Sequence, residues 1–146
     1  LVEALEKGNY NYLDRSKMDP REGLMAAYDA DVFLSSANAI TSDGILVNID
    51  GNSNRVSCIA QGPRKVVFIV GINKVCSDLD SAMKRARNVA APVNAQRFDL
   101  NIPCRETGKC FDCKSMDTIC CQFLITRFSR HTDRIHVILV NDTLGY

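Results

Sequence analysis

The sequence has almost no net charge: 18 Lys and Arg stand against 17 Asp and Glu in 146 residues. No long-range field therefore draws the chain to nucleic acid or to anionic lipid. It also lacks a long apolar run, since the longest, Val66 to Ile72, is far short of the ~20 residues needed to cross a bilayer. There is no Gly-x-Ser-x-Gly elbow, P-loop, dinucleotide fingerprint or His-Glu-x-x-His. The common nucleophilic, nucleotide-dependent and zinc-protease mechanisms thus find no residues here. Of the two histidines, His136 lies within an apolar strand and reads as a hydrogen-bonded core imidazole, whereas His131 in a polar turn reads as solvated. Repeats, low-complexity tracts and linkers are missing as well, which predicts a single domain, 1–146. A globule of this size buries roughly 70% of its unfolded surface and needs no disulfides. The chain does not open on Met, and Leu1 to Gly8 resembles the middle of a helix, so the expectation is an N-terminally truncated domain.

What is present alternates between helical and extended patterns. Asp19-Pro20-Arg21-Glu22 begins a helix, with Asp19 as cap and Pro20 at the first position, followed by Leu24, Met25, Ala27 and Tyr28 on a buried side. Val32–Leu34, Ile45–Val47 and Val66–Val70 read as strands, the last continuously apolar and hence central. Ser35 to Gly44 reads as a polar connection. A short helix is expected over Asn54 to Ala60, a surface helix over Asp78 to Ala90 and a second short one from Pro92 to Phe98. Leu100 to Cys121 has no clean period and predicts an ordered loop. Gln122 to Phe128 and Arg134 to Val140 read as two strands joined in a hairpin through residues 129–133. The sum is an α/β fold with a mainly parallel sheet flanked by helices.

Seven cysteines is an odd number, which leaves at least one thiol unpaired in a monomer. That count and the Cys110-x-x-Cys113 pair predict a reducing, cytoplasmic setting. Cys104, Cys110, Cys113 and Cys120 place four soft ligands within seventeen residues, and Pro103 and Gly108 let the chain fold around one ion. Tetrahedral zinc and an iron–sulfur cluster are the two metal readings; free thiols, or a reversible disulfide between Cys110 and Cys113, are the alternative. Four thiolates leave no open coordination position, so a metal here is structural. Cys121 can stand in for Cys120. Cys58 and Cys76 read as buried small hydrophobes.

The second unusual segment runs from Asn38 to Arg55. It gathers Asn38, Asp43, Gly44, Asn48, Asp50, Gly51, Asn52, Asn54 and Arg55 at the ends of predicted strands, where open α/β sheets bind small-molecule ligands. Gly51-Asn52 could turn backbone N–H groups towards an anion. Ordinary turn chemistry explains the same Asp-Gly and Asn residues without a ligand.

Here the sequence resembles a family. Ser36-Ala37-Asn38-Ala39-Ile40-Thr41, Asp43-Gly44, Leu46 to Asn52, Asn54-Arg55-Val56, Gly62 to Val66, Val70 to Lys74, the four-cysteine segment from Pro103 and Arg134 to Val140 are similar to blocks of the LUD (lactate-utilisation) domain family. The resemblance runs from about Asn9 to Tyr146. It implies a fold like that of the sugar-phosphate isomerase and CoA-transferase superfamily, normally with a Gly-rich loop in a preceding portion. It also implies a part in bacterial oxidation of L-lactate to pyruvate beside iron–sulfur redox protein partners. The segment is further similar to the ligand loop of the initiation factor 2B and methylthioribose-phosphate isomerase group, which implies a binding role for Asp43, Asn48 and Asp50. Ser53 departs from the family pattern, where Gly is expected. Not all members carry the four cysteines, so these mark a subgroup.

Three functions are therefore expected: a component of lactate oxidation, an enzyme binding a small sugar-phosphate or carboxylate, or a metal-stabilised scaffold for redox partners. Whether the chain is catalytic, and its oligomeric state, are open at this point.

Overall fold

The computed structural model describes residues 1–146. Helix α1 (Val2–Lys7) and a 3-10 turn at Arg15–Lys17 lead to α2 (Pro20–Asp29). Asp19 caps α2 as its sequence predicts, accepting from Arg21 N at 3.0 Å and Glu22 N at 3.2 Å, with Pro20 at the first helical position. Then come β1 (Val32–Ser35), β2 (Ala39–Thr41), β3 (Leu46–Asp50), α3 (Asn54–Ala60), β4 (Lys65–Gly71) and, after a 3-10 turn at Ile72–Lys74, β5 (Val75–Cys76). The chain ends with α4 (Leu79–Arg85), α5 (Ala91–Ala95), α6 (Pro103–Thr107), β6 (Gln122–Thr126) and β7 (Ile135–Val140).

The fold is α/β, and its strands form two sheets. The first, β1-β4-β7, is wholly parallel, with β4 in the centre as its apolar run predicts. The second, β5-β2-β3-β6, is mixed: β2 and β3 form an antiparallel hairpin, β6 pairs antiparallel with β3, and β5 runs parallel to β2. Val66, Phe68 and Val70 of β4 are fully buried, packed with Phe33, Ile40, Leu46, Cys58 and Ile59. Helices α2 and α3 contribute Ala27, Cys58 and Ile59 to this core, and α4 covers the other side of the mixed sheet through Ala82 beside Val47 and Ile49. The opposite face of the parallel sheet carries Val32, Leu34, Val67, Ile69 and Ile138 and is open to solvent at Val32, Leu34 and Ile138. No helix is long and apolar enough to cross a membrane.

Several expectations are corrected. The predicted hairpin over residues 122–140 does not form, because the two strands belong to different sheets and residues 127–134 carry the chain between them. β7 therefore lies at an edge, so His136 is exposed, its Nε2 2.8 Å from Asp133 O, and is no core imidazole. The polar connection of residues 35–44 contains β2, whose three residues are too few to show a period. The helices expected over residues 78–90 and 92–98 are one: α4 continues into α5 through a π-helical turn at Ala86–Ala90. Pro92 supplies the cause, since its ring crowds the carbonyl four residues back and the widened turn relieves that clash. The loop over residues 100–121 contains the short helix α6.

Candidate functional site

The Asn38 to Arg55 segment folds into a hydrogen-bonded network centred on one ion pair. β3 delivers Asp50, 8% exposed, to the start of α3. There its Oδ2 accepts from Arg55 N and Val56 N, both at 2.8 Å, and its Oδ1 accepts from Arg55 Nε at 3.0 Å. The carboxylate does the work of a cap that Ser53 does not, since Ser53 sits in the left-handed region at φ 60° and its side chain caps nothing. A Gly would reach that φ without steric cost. The Arg55 guanidinium also donates from Nη1 to Ser36 O (3.1 Å) and from Nη2 to Asn38 Oδ1 (2.8 Å) and Ile49 O (3.0 Å). Asn38 Oδ1 in turn accepts from Ile49 N at 2.8 Å.

The nine predicted binding residues thus separate. Asn38, Asp50 and Arg55 share this network. Gly51 packs against Ile119 of the cysteine segment, and Asn52 and Asn54 are exposed beside it. Asn48 lies on the same face of β3 as Asp50, fully buried, and neither its Oδ1 nor its Nδ2 has a partner. Asp43 and Gly44 stand at the far end of the β2–β3 hairpin, ~13 Å away along the strand. There they serve the turn: Asp43 accepts from Thr41 Oγ1, and Gly44 adopts φ 93°.

Sequence reasoning passed over three residues in this region. Lys74, 4% exposed, donates from Nζ to Ser36 Oγ at 3.1 Å. Burial lowers its pKa from the ordinary lysine value, and the nearby Arg85 and Arg55 charges push the same way. Arg85 donates from Nε to Asn73 O at 3.0 Å and from Nη1 to Asn38 O at 2.5 Å, and burial lowers its pKa too. Ser36 and Lys74 follow the carboxyl ends of β1 and β4, the edge at which α/β sheets bind ligands. A lysine placed just past a continuously apolar strand was the signal for it. A cleft between α3 and residues 124–135 lies elsewhere and holds none of these groups. Its Arg134 is already engaged with Ile59 O (2.8 Å) and Cys58 O (3.3 Å).

The four predicted cysteines line a second, small pocket together with Arg87, Ala91, Phe111, Asp112 and Phe123. Cys110 Sγ accepts from Asp112 N and from Arg87 Nη2, each at 3.4 Å, and Asp112 takes φ 54° to make the turn. Arg87 comes from the π-helical turn and pairs with Asp112 Oδ1 at 2.6 Å. Burial, reinforced by Cys104, Cys110 and Cys113 and opposed by Arg87, pushes the Cys120 thiol up to about 11. Burial likewise raises Cys104. Cys121 is exposed and does not line this pocket; its sulfur lies 3.7 Å from Thr118 O and its N–H donates to Asp50 O at 2.8 Å. As the side chains stand, no group of three or more His, Cys, Asp or Glu residues has the geometry to hold a metal ion. Cys58 is fully buried, as predicted, while Cys76 is only half-buried.

No curated protein and no solved structure matches the chain. The family model described as the LUD domain matches residues 1–140. That span covers all seven strands, the Asp50–Arg55 network and the cysteine pocket, and the chain belongs to the LUD domain family.

Proposed function

We propose that this chain is a component of the oxidation of L-lactate to pyruvate. Its membership of the LUD domain family over residues 1–140 carries the reading. The oxidation releases two electrons and two protons from the lactate C–OH carbon and hydroxyl, and the electrons pass to iron–sulfur redox protein partners. The residues suited to a small carboxylate are those at the carboxyl ends of β1 and β4, Ser36 and Lys74, together with Arg85. Deletion of the gene in a host without a second lactate route is expected to abolish growth on L-lactate; undiminished growth would overturn the reading.

Cys104, Cys110, Cys113 and Cys120 hold one metal centre in this proposal, zinc or an iron–sulfur cluster. Support comes from their shared pocket, its Phe111 and Phe123 walls, and the Arg87 N–H directed at Cys110 Sγ. The centre is structural, because four thiolates saturate it, and it ties residues 104–120 to the π-helical turn. Preparations made with and without oxygen should contain about one equivalent of zinc, or iron with sulfide, per chain. Less than roughly a tenth of an equivalent in both would dismiss the centre.

A second reading, an enzyme binding a small phosphorylated or carboxylated metabolite, is favoured by the unpartnered Asn48 amide and the cations around Ser36.

A further inference from the structure

Three cations gather where β1 and β4 end, and only one has a carboxylate. Arg55 pairs with Asp50 at 3.0 Å. Lys74 and Arg85 form no salt bridge: the lysine has Ser36 Oγ as its one protein acceptor, and the arginine has two backbone carbonyls. Carbonyl and hydroxyl oxygens satisfy N–H groups but do not neutralise charge. Two positive charges are therefore held, one of them almost wholly buried, with no anion against them. Proteins seldom bury a charge this way unless something arrives to compensate it.

Asn48 and the last residues of the chain add two further features. Asn48, fully buried on the Asp50 face of β3, leaves both its amide donors and its carbonyl unpartnered. Residues 144–146 pass over Lys74, held by Asn73 Nδ2 to Gly145 O at 3.2 Å and by Leu144 N to Asn73 Oδ1 at 3.2 Å. Gly145 there adopts φ 60°, and a Cβ on it would lie 3.5 Å from Lys74 Nζ, in ordinary contact.

We propose that Lys74, Arg85 and Ser36 form a binding site for a small oxyanion, the carboxylate or phosphate of a metabolite. Lys74 supplies the buried charge and two free N–H donors, Ser36 the hydroxyl that orients it, and Arg85 the second charge. Where the oxyanion is the carboxylate of a 2-hydroxy or 2-oxo acid, the inference rests on the lactate reading and deepens it. Where it is a phosphate, the site stands without that reading.

The test is calorimetric titration of the full chain with L-lactate, pyruvate and inorganic phosphate, each at ionic strength matched with sodium chloride. Saturable binding of at least one is expected, weakened roughly ten- to hundredfold in Lys74→Met and in Arg85→Gln. Without ligand, Lys74→Met should melt no lower than the parent chain, so that lost binding is not lost folding. Binding of phosphate without lactate or pyruvate would keep the site and count against lactate as its ligand. Carboxylate binding alongside undiminished growth of the deletion strain would keep the site and sink the pathway. Absence of saturable binding by all three, or unchanged affinity in Arg85→Gln with reduced ligand-free stability in Lys74→Met, would overturn the proposal and make the lysine a structural strut.

Discussion

The Asp50–Arg55 network and the cysteine pocket use the same kind of material, charged or polarisable side chains converging from different elements, and reach opposite results. Around Asp50 both carboxylate oxygens and the guanidinium meet partners at 2.8 to 3.1 Å, all within the chain. In the pocket, Cys110 Sγ receives two 3.4 Å contacts, Cys113 Sγ stands 3.5 Å from Thr118 Oγ1, and the Cys120 thiol is pushed up to about 11. One region is complete as folded; the other has sulfurs close enough to disfavour each other's ionisation, opposed only in part by Arg87. Lys74 and Arg85 repeat that incompleteness with the opposite sign. A completed network positions its neighbours, whereas uncompensated groups are the ones that gain by binding.

Removing the centre of the completed network is the most disruptive change available. Asp50→Ala leaves Arg55 without its counter-charge and the first N–H groups of α3 without an acceptor. Breaking a pair with one largely buried partner is expected to cost about 3 kcal/mol or more, read as a lowered urea midpoint at unchanged m. A loss below about 1 kcal/mol would erase the contrast, since Asp50 would then be no more structural than an exposed turn residue.

Metal should move the pocket alone. With free zinc about a hundredfold above its dissociation constant, the folded state gains about 3 kcal/mol, reversed by a chelator. Cys104→Ser and Cys110→Ser should remove the zinc dependence of the melting temperature, and Cys121→Ser should not, because Cys121 lies outside the pocket. Equal loss in all three would mean that zinc acts on the unfolded chain or at the surface.

How much of this was legible depended on how far along the chain each partner lies. The Asp19 cap, the central β4 and the helix at Asn54–Ala60 are set within a few residues, and the sequence pattern identifies each. The cysteines span seventeen positions with turn residues between them, close enough for spacing to group them in one pocket. Strand partnership was not legible in the same way. β6 and β7 are separated by what looks like a turn, and nothing local says that one joins β3 and the other β4. Lys74 and Arg85 carried no motif, because what distinguishes them is burial without a counter-ion, a property of the assembled fold. Asp43 is the reverse case, a conspicuous Asp-Gly pair that the structure places in the turn it makes.

The smallest effect tests the comparison most sharply, because it predicts a gain. Lys74 has a folded pKa depressed by burial and by the Arg85 and Arg55 charges. Below that depressed folded value the lysine is charged in both folded and unfolded chains, and the folded state carries the full cost of that buried charge. As pH rises through the depressed folded value, the folded chain releases its proton before the unfolded chain does. The unfolded state then binds more protons and stability climbs, up to the ordinary lysine value. Lys74→Met removes the charge and should therefore be more stable than the parent by about 1 kcal/mol at pH values where the folded lysine is charged. The advantage should shrink as pH rises from the depressed folded value to the ordinary lysine value, as the parent recovers what burial cost it. Denaturant titrations of both chains across that range measure the gap directly. An anion held by the lysine would favour its charged form, so a saturating oxyanion should stabilise the parent, reverse the order of the two chains near neutrality and flatten the parent's rise. A gap independent of both pH and anion would place Lys74 with the completed network, as a strut whose charge is already compensated.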